Sequence, residues 1–243
     1  MKRYLPIYFL LVFCCLQLSL NAQPKPSKYI PDSERFSAGL LIGFNNAQID
    51  GDYQTGYDKF GITGGLRGIA RITPLLDFNI EMLYSKKGSK IFSAGGQIQV
   101  NPKKERIIDL TYIDAPIFAK CLLKNKLNTW HIEMGGIYSR LIKTEITEII
   151  KDAERDFVYE DAVVDFRKDD ISFLAGLGHT WQNGISLNFR FIVSVNKFYQ
   201  NPDFSIPTRS SFATQDVDFL RNYYYSLNIS YTIFKRAIKG KKK

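Results

Sequence analysis

Five charged side chains, Arg67, Arg71, Glu81, Glu133 and Arg190, stand where the flanking residues alternate between apolar and polar types, and all five fall in the polar phase. Such a phase is one face of a β-strand, because successive side chains of an extended chain point to opposite sides. Arginines and glutamates gathered inside a narrow enclosure are costly unless paired. The expected chemistry is therefore a structural network of ion pairs that fills an interior. The sharper alternative is a path for protons or ions. An interior bounded by about eight strands is filled by side chains, which favours the network.

Histidine is scarce, with His131 and His179 the only two. No Ser-His-Asp arrangement can be assembled around them, and two histidines alone make a weak metal site. The acidic stretch "KTEITEIIKDAERDFVYEDAVVDFRKDD" lacks the Asp-x-Asp-x-Asp-Gly spacing of a calcium loop and reads as a solvated loop into which strands extend. No catalytic, metal or cofactor-binding residue is assigned, and the chain reads as a non-enzyme that needs no cofactor.

The elements that must position the five charges are strands. "LDFNIEMLYSKKG" puts Leu76, Phe78, Ile80, Met82 and Tyr84 on one face and Asp77, Asn79, Glu81 and Ser85 on the other. The same alternation recurs in "FSAGLLIGFNNAQI", "KFGITGGLRGIARIT", "TWHIEMGGIYS", "DISFLAGLG", "GISLNFRFIVSVN" and "YYYSLNISYTIF". With Ile107–Leu123 these make about eight strands of roughly ten residues or more, the length of a tilted membrane strand. Their connections are tight turns ("TPL", "KNKLN", "QNG") in alternation with long segments (50–58, 87–106, 143–170 and 197–222). Short turns at one end and long loops at the other describe an eight-stranded antiparallel up-and-down transmembrane β-barrel of the all-β class.

The polar phase is mostly small, as in Ser172, Gly176, Gly178, Thr180, Ser186 and Asn188, and suits a narrow lumen. The apolar phase carries Trp130, Tyr84, Tyr225 and Tyr231, mostly towards strand ends, where aromatic girdles meet the membrane interface. Phe78 and Ile80 are thus expected to face lipid; a secreted lipocalin-like barrel is the soluble alternative. Around "YIDAPIFAK" the apolar phase passes from Ile108, Leu110 and Tyr112 to Ile117, Ala119 and Cys121, across a proline. One extra residue, a β-bulge at Asp114, Ala115 and Pro116, would account for both.

The first 22 residues, with Lys2, Arg3 and an apolar run to Leu20, read as a secretory signal peptide. Residues 23–35 follow as an N-terminal periplasmic segment, 36–234 as the barrel and 235–243 as a basic periplasmic tail. The net charge of +9 falls to +7 without the signal, and six of the remaining excess sit at Lys235, Arg236, Lys239, Lys241, Lys242 and Lys243. The body of the chain is nearly neutral, so a nucleic-acid surface is excluded. Cys121 alone remains after the signal and has no internal partner.

The blocks "NNAQIDGDYQTGYDKFGITGGL", "EMLYSKKGS", "LTYIDAPIFAK", "GGIYSRLI" and "DFRKDDISFLAGLG" resemble, in that order, the PorT-like family of small outer-membrane β-barrels. The resemblance implies an integral outer-membrane protein with periplasmic termini, set among outer-membrane lipid and lipopolysaccharide. It also implies periplasmic or outer-membrane secretion components as partners, in the type IX export of cargo proteins by protein contacts rather than chemistry.

Overall fold

The computed structural model describes residues 35–50, 59–92, 105–125, 128–149, 166–200 and 219–233. The segments read as signal peptide and basic tail lie outside the described residues, as does the N-terminal segment apart from Arg35. Alternation becomes strand wherever it was read: β1 (Phe36–Asp50), β2 (Lys59–Thr73), β3 (Leu76–Phe92), β4 (Glu105–Leu122), β5 (Thr129–Ile149), β6 (Asp169–Thr180), β7 (Ile185–Ser194), the two-residue β8 (Tyr199–Gln200) and β9 (Phe219–Thr232). Each long strand pairs antiparallel with the next, and β9 returns to pair with β1 from Gly39↔Thr232 to Asp50↔Arg221. The result is a closed eight-stranded barrel, β8 being a short addition to β9. Closure leaves no edge along the barrel wall, which is the condition for crossing a bilayer with strands.

The turns carry the chemistry that tight connections need. Pro74 and Leu75 alone join β2 to β3, and the Leu75 amide donates to Thr73 Oγ1 at 3.2 Å. Between β6 and β7, Gly184 adopts a positive φ of 89°, its amide donating to the Trp181 carbonyl at 3.2 Å. Only glycine enters that conformation without strain.

The two faces separate sharply. Phe36 and Ile42 are 72% and 69% exposed, whereas Asn79 and Glu133 on the opposite phase are fully buried. Apolar side chains outward and polar side chains inward invert a soluble core. This is the arrangement of a barrel whose outer solvent is hydrocarbon. Trp130 and Trp181 stand at the short-turn end of the belt, and Tyr84 and Tyr138 towards the other.

Beyond the belt the polarity turns over. Ile49, Ile108, Leu110, Tyr112, Leu141 and Leu220 point inward and pack with Phe166, Phe198 and Tyr199 into a buried apolar cluster at the loop end. The Phe166 ring meets Phe198 and Tyr199 at centroid distances of 5.1 and 5.8 Å. β5 reaches Ile149, so the first part of the acidic stretch is strand rather than loop.

This inversion corrects the expected bulge. Asp114, Ala115 and Pro116 pair in unbroken register with Ser139, Tyr138 and Ile137 of β5. The β3–β4 register is the same on either side of them, at Ile80↔Ile117 and Leu83↔Asp114. The even positions of β4 face inward from Ile108 to Leu122. What changes along β4 is the surroundings of each face, because outward residues meet lipid below and water above. The proline is accommodated by a gap in the β3–β4 ladder opposite it, where no amide is required. The real register shift lies higher, between Thr111 and Tyr112, with Ile142 of β5 as the extra residue.

Candidate functional site in the barrel lumen

Four of the five expected lumen charges meet at mid-barrel. Glu81 of β3 lies between two arginines. It accepts from Arg67 Nε at 2.6 Å and from Arg190 Nη1 and Nη2 at 2.8 and 2.9 Å. The Nε of Arg190 donates to Glu133 Oε2 at 2.7 Å, and Arg67 Nη1 donates to Ser230 Oγ at 2.9 Å. The two-pronged Arg190–Glu81 contact uses the planar guanidinium fork that lysine lacks. Phe118 from β4 presents its ring to both guanidiniums, at 4.7 Å from Arg190 and 5.8 Å from Arg67. Arg71 stands apart, nearer the short turns, with its Nε 3.8 Å from Asp77 Oδ1.

Space for this layer comes from β6. A Cβ at Gly176 would press on the Arg190 side chain, and one at Gly178 would run into the His131 ring. Small residues on that strand are therefore set by the bulk of those on β5 and β7.

Two further layers were not singled out in the sequence. Above the arginines, Lys87 is fully buried, donating to Asp114 Oδ1 at 2.9 Å and to Ser139 Oγ at 3.4 Å. Its ammonium lies 4.6 Å from the Tyr112 ring centre and 4.7 Å from that of Tyr224. Asp114, expected at a bulge, is instead the counter-ion of Lys87. Asp170 accepts from Ser194 Oγ at 2.7 Å and Asn222 Nδ2 at 3.2 Å, and Asn222 also donates to the Tyr112 hydroxyl at 3.1 Å. Below the arginines, His131 Nε2 donates to Asn188 Oδ1 at 2.9 Å, with Thr180 Oγ1 at 3.3 Å from Nδ1. Lys120 Nζ donates to that same Thr180 oxygen at 3.1 Å. The phase of the strands carried the missing signal, since Lys87 continues the inward series Asn79, Glu81, Leu83 and Ser85.

Among the described residues, Arg67, Lys87, Lys120, Arg190 and the half-buried Arg71 fill these layers together with Asp77, Glu81, Asp114, Glu133 and Asp170. An interior of this kind holds its charges for one another rather than for a ligand of either sign. Among the described residues no group of three or more His, Cys, Asp or Glu gathers as a metal site. A water-sized cavity lies between the arginine and lysine layers, lined in part by Asn45, Ser85, Asp114, Arg190, Tyr224 and Asn228. His179, in contrast, faces outward between Trp130 and Trp181, with ring centroids 5.0 and 4.9 Å away.

A closed eight-stranded barrel with an outward apolar belt, aromatic ends and a polar, filled lumen defines the class: a small β-barrel of the outer-membrane type. No family model and no curated protein matches the chain. Among solved structures it is similar to Ail, the attachment invasion locus protein of Yersinia pestis, at 9% identity and a TM-score of 0.41, over 82% of this chain and 99% of that one. It is also similar to neisserial surface protein A, at 11% identity and a TM-score of 0.42, over 80% and 96% of the two chains. The outer membrane protein OprG from Pseudomonas aeruginosa is similar at 9% identity and a TM-score of 0.37, over 82% and 95%.

Proposed function

We propose that the protein is an integral outer-membrane barrel that works through protein contacts, in the PorT-like manner, and is needed for export of cargo proteins by a type IX secretion system. The observation that supports a contact-based role is the filled lumen. Arg67, Glu81, Arg190 and Glu133 are bonded to one another across the interior, and the apolar cluster around Ile108 and Phe198 caps it. A barrel packed in this way offers its rims and loops to partners and offers no passage to cargo. Deletion of the gene is expected to leave cargo proteins in the periplasm. Normal secretion together with a loss of surface binding would favour the second reading, a structural or adhesive surface barrel, for which the capped loop end is a built platform. In planar bilayers the purified barrel is expected to show no steady conductance, and a stable open channel would overturn the filled-lumen account.

The strand count puts both barrel termini at the short-turn end, where Gly39 of β1 pairs with Thr232 of β9. In this reading that end faces the periplasm, and Lys235–Lys243 follow β9 in sequence. They would contribute about 1 kcal/mol each if they only met anionic headgroups. If the tail docks to an acidic component of the export apparatus, a chain ending at Phe234 folds and locates normally yet leaves cargo in the periplasm. Normal secretion by that truncation would make the tail a membrane-surface feature only.

A further inference from the structure

At the loop-side rim, among the described residues, the outer face of β3 and β5 carries Lys86, Arg140 and Lys143, and the exposed Arg167, just before β6, shares the outward phase of Asp169. Their register ties them together. Lys86 pairs with Thr111, Thr111 pairs with Lys143, and Arg140 pairs with Asp169. The Leu141 amide donates to the Lys168 carbonyl at 2.6 Å, which brings residues 167 and 168 beside Arg140. Two carboxylates stand among them, Glu145 bonded to Lys143 at 2.7 Å and Asp169 bonded to Arg140 at 2.6 Å. The nearby Asp109 is paired with Lys59. Among the described residues the patch therefore keeps a net positive charge after its own ion pairs are counted.

Its height is the second observation. Lys86 stands ten residues beyond the start of β3 at Leu76, and Arg140 eleven beyond the start of β5 at Thr129. At about 3.3 Å per residue and a tilt near 40°, that rise matches the apolar belt of about 25 Å in outer-membrane barrels. Directly beneath lie the lipid-facing Tyr84, Ile113 and Tyr138. The cations thus sit at the outer edge of the hydrocarbon, where headgroup phosphates begin, rather than at the loop tips where a protein partner would first arrive.

We infer that this patch binds the phosphates of a bis-phosphorylated glycolipid of the outer leaflet, with Lys86 and Lys143, two strands apart, flanking the ligand and Arg167 extending the cradle. The inference rests on the outer-membrane reading with loops outward. It is tested by titrating the detergent-purified full-length protein with lipid A and with its dephosphorylated counterpart, read by native mass spectrometry. Wild type is expected to prefer the phosphorylated form by about tenfold or more, and the variant Lys86→Gln/Lys143→Gln/Arg167→Gln to lose that preference. Equal binding of both forms by wild type, or an undiminished preference in the variant, overturns it. So does equal competition by an acidic peptide, which would make the patch a protein-docking surface. If the variant does not fold, wild type serves alone: the preference must vanish in about 1 M salt, where the screening length is about 3 Å. Membrane fractionation tests the underlying reading separately, since a barrel recovered from the outer membrane without lipid preference defeats only this inference.

Discussion

Arg190→Ala is expected to destabilise the barrel by about 3–5 kcal/mol, the cost of leaving buried charges without their partner. Arg190 hydrogen-bonds both Glu81 and Glu133, and both carboxylates are almost fully buried. Glu81 would keep Arg67, at 2.6 Å, whereas Glu133 would keep only the longer approach of His131, at 3.6 Å. Arg190→Lys is expected to recover part of the loss, because an ammonium keeps the charge but cannot reproduce the forked contact to Glu81 together with the separate bond to Glu133. Urea titration of the barrel refolded into lipid vesicles measures both. A loss under about 1 kcal/mol for the alanine variant would mean the network contributes little, as for an exposed pair.

The second large effect is on the outer face. Ile80→Arg is expected to block assembly, because a cation near the bilayer midplane of a barrel costs roughly 2–4 kcal/mol. Ile80 is 52% exposed and pairs with Gly68 and Ile117, so its surroundings are lipid and no acidic neighbour is at hand. The adjacent Asn79 is fully buried and donates to the Asp77 carbonyl at 3.3 Å. Asn79→Ser removes that one bond and is expected to cost about 0.5–1.5 kcal/mol. Heat-modifiable migration on gels reports assembly of each variant. Normal assembly of Ile80→Arg with failure of Asn79→Ser would mean the two faces have been exchanged.

Individual residues show how far alternation can be read. Arg67, Glu81, Glu133 and Arg190 are placed in the lumen by their phase alone, since a period of two admits just two faces. Their grouping on one level depends on register, and no local signal records which residue of β7 stands across the barrel from Glu81. The absence of Arg71 from that group has the same cause, because it lies four residues nearer the turn on the same face of β2. Lys87 falls in the segment 87–106 that reads as a long connection, whereas β3 continues to Phe92 and carries Lys87 inward.

The bulge expected at Asp114, Ala115 and Pro116 failed for a related reason. Switching the apolar residues from even to odd positions suggests an inserted residue only if each face keeps one solvent along its length. In this barrel each outer face meets lipid for about ten residues and water beyond, so Ile108, Leu110 and Tyr112 turn inward with the chain in perfect alternation. The number of strands, their antiparallel order, the short-turn end and the lipid face follow from the sequence by itself, because they depend on local periodicity and loop length. The ion-pair partners, the apolar cap and the level at which the polarity inverts were decided by the tertiary structure, because they depend on the stagger between strands, which no single strand encodes.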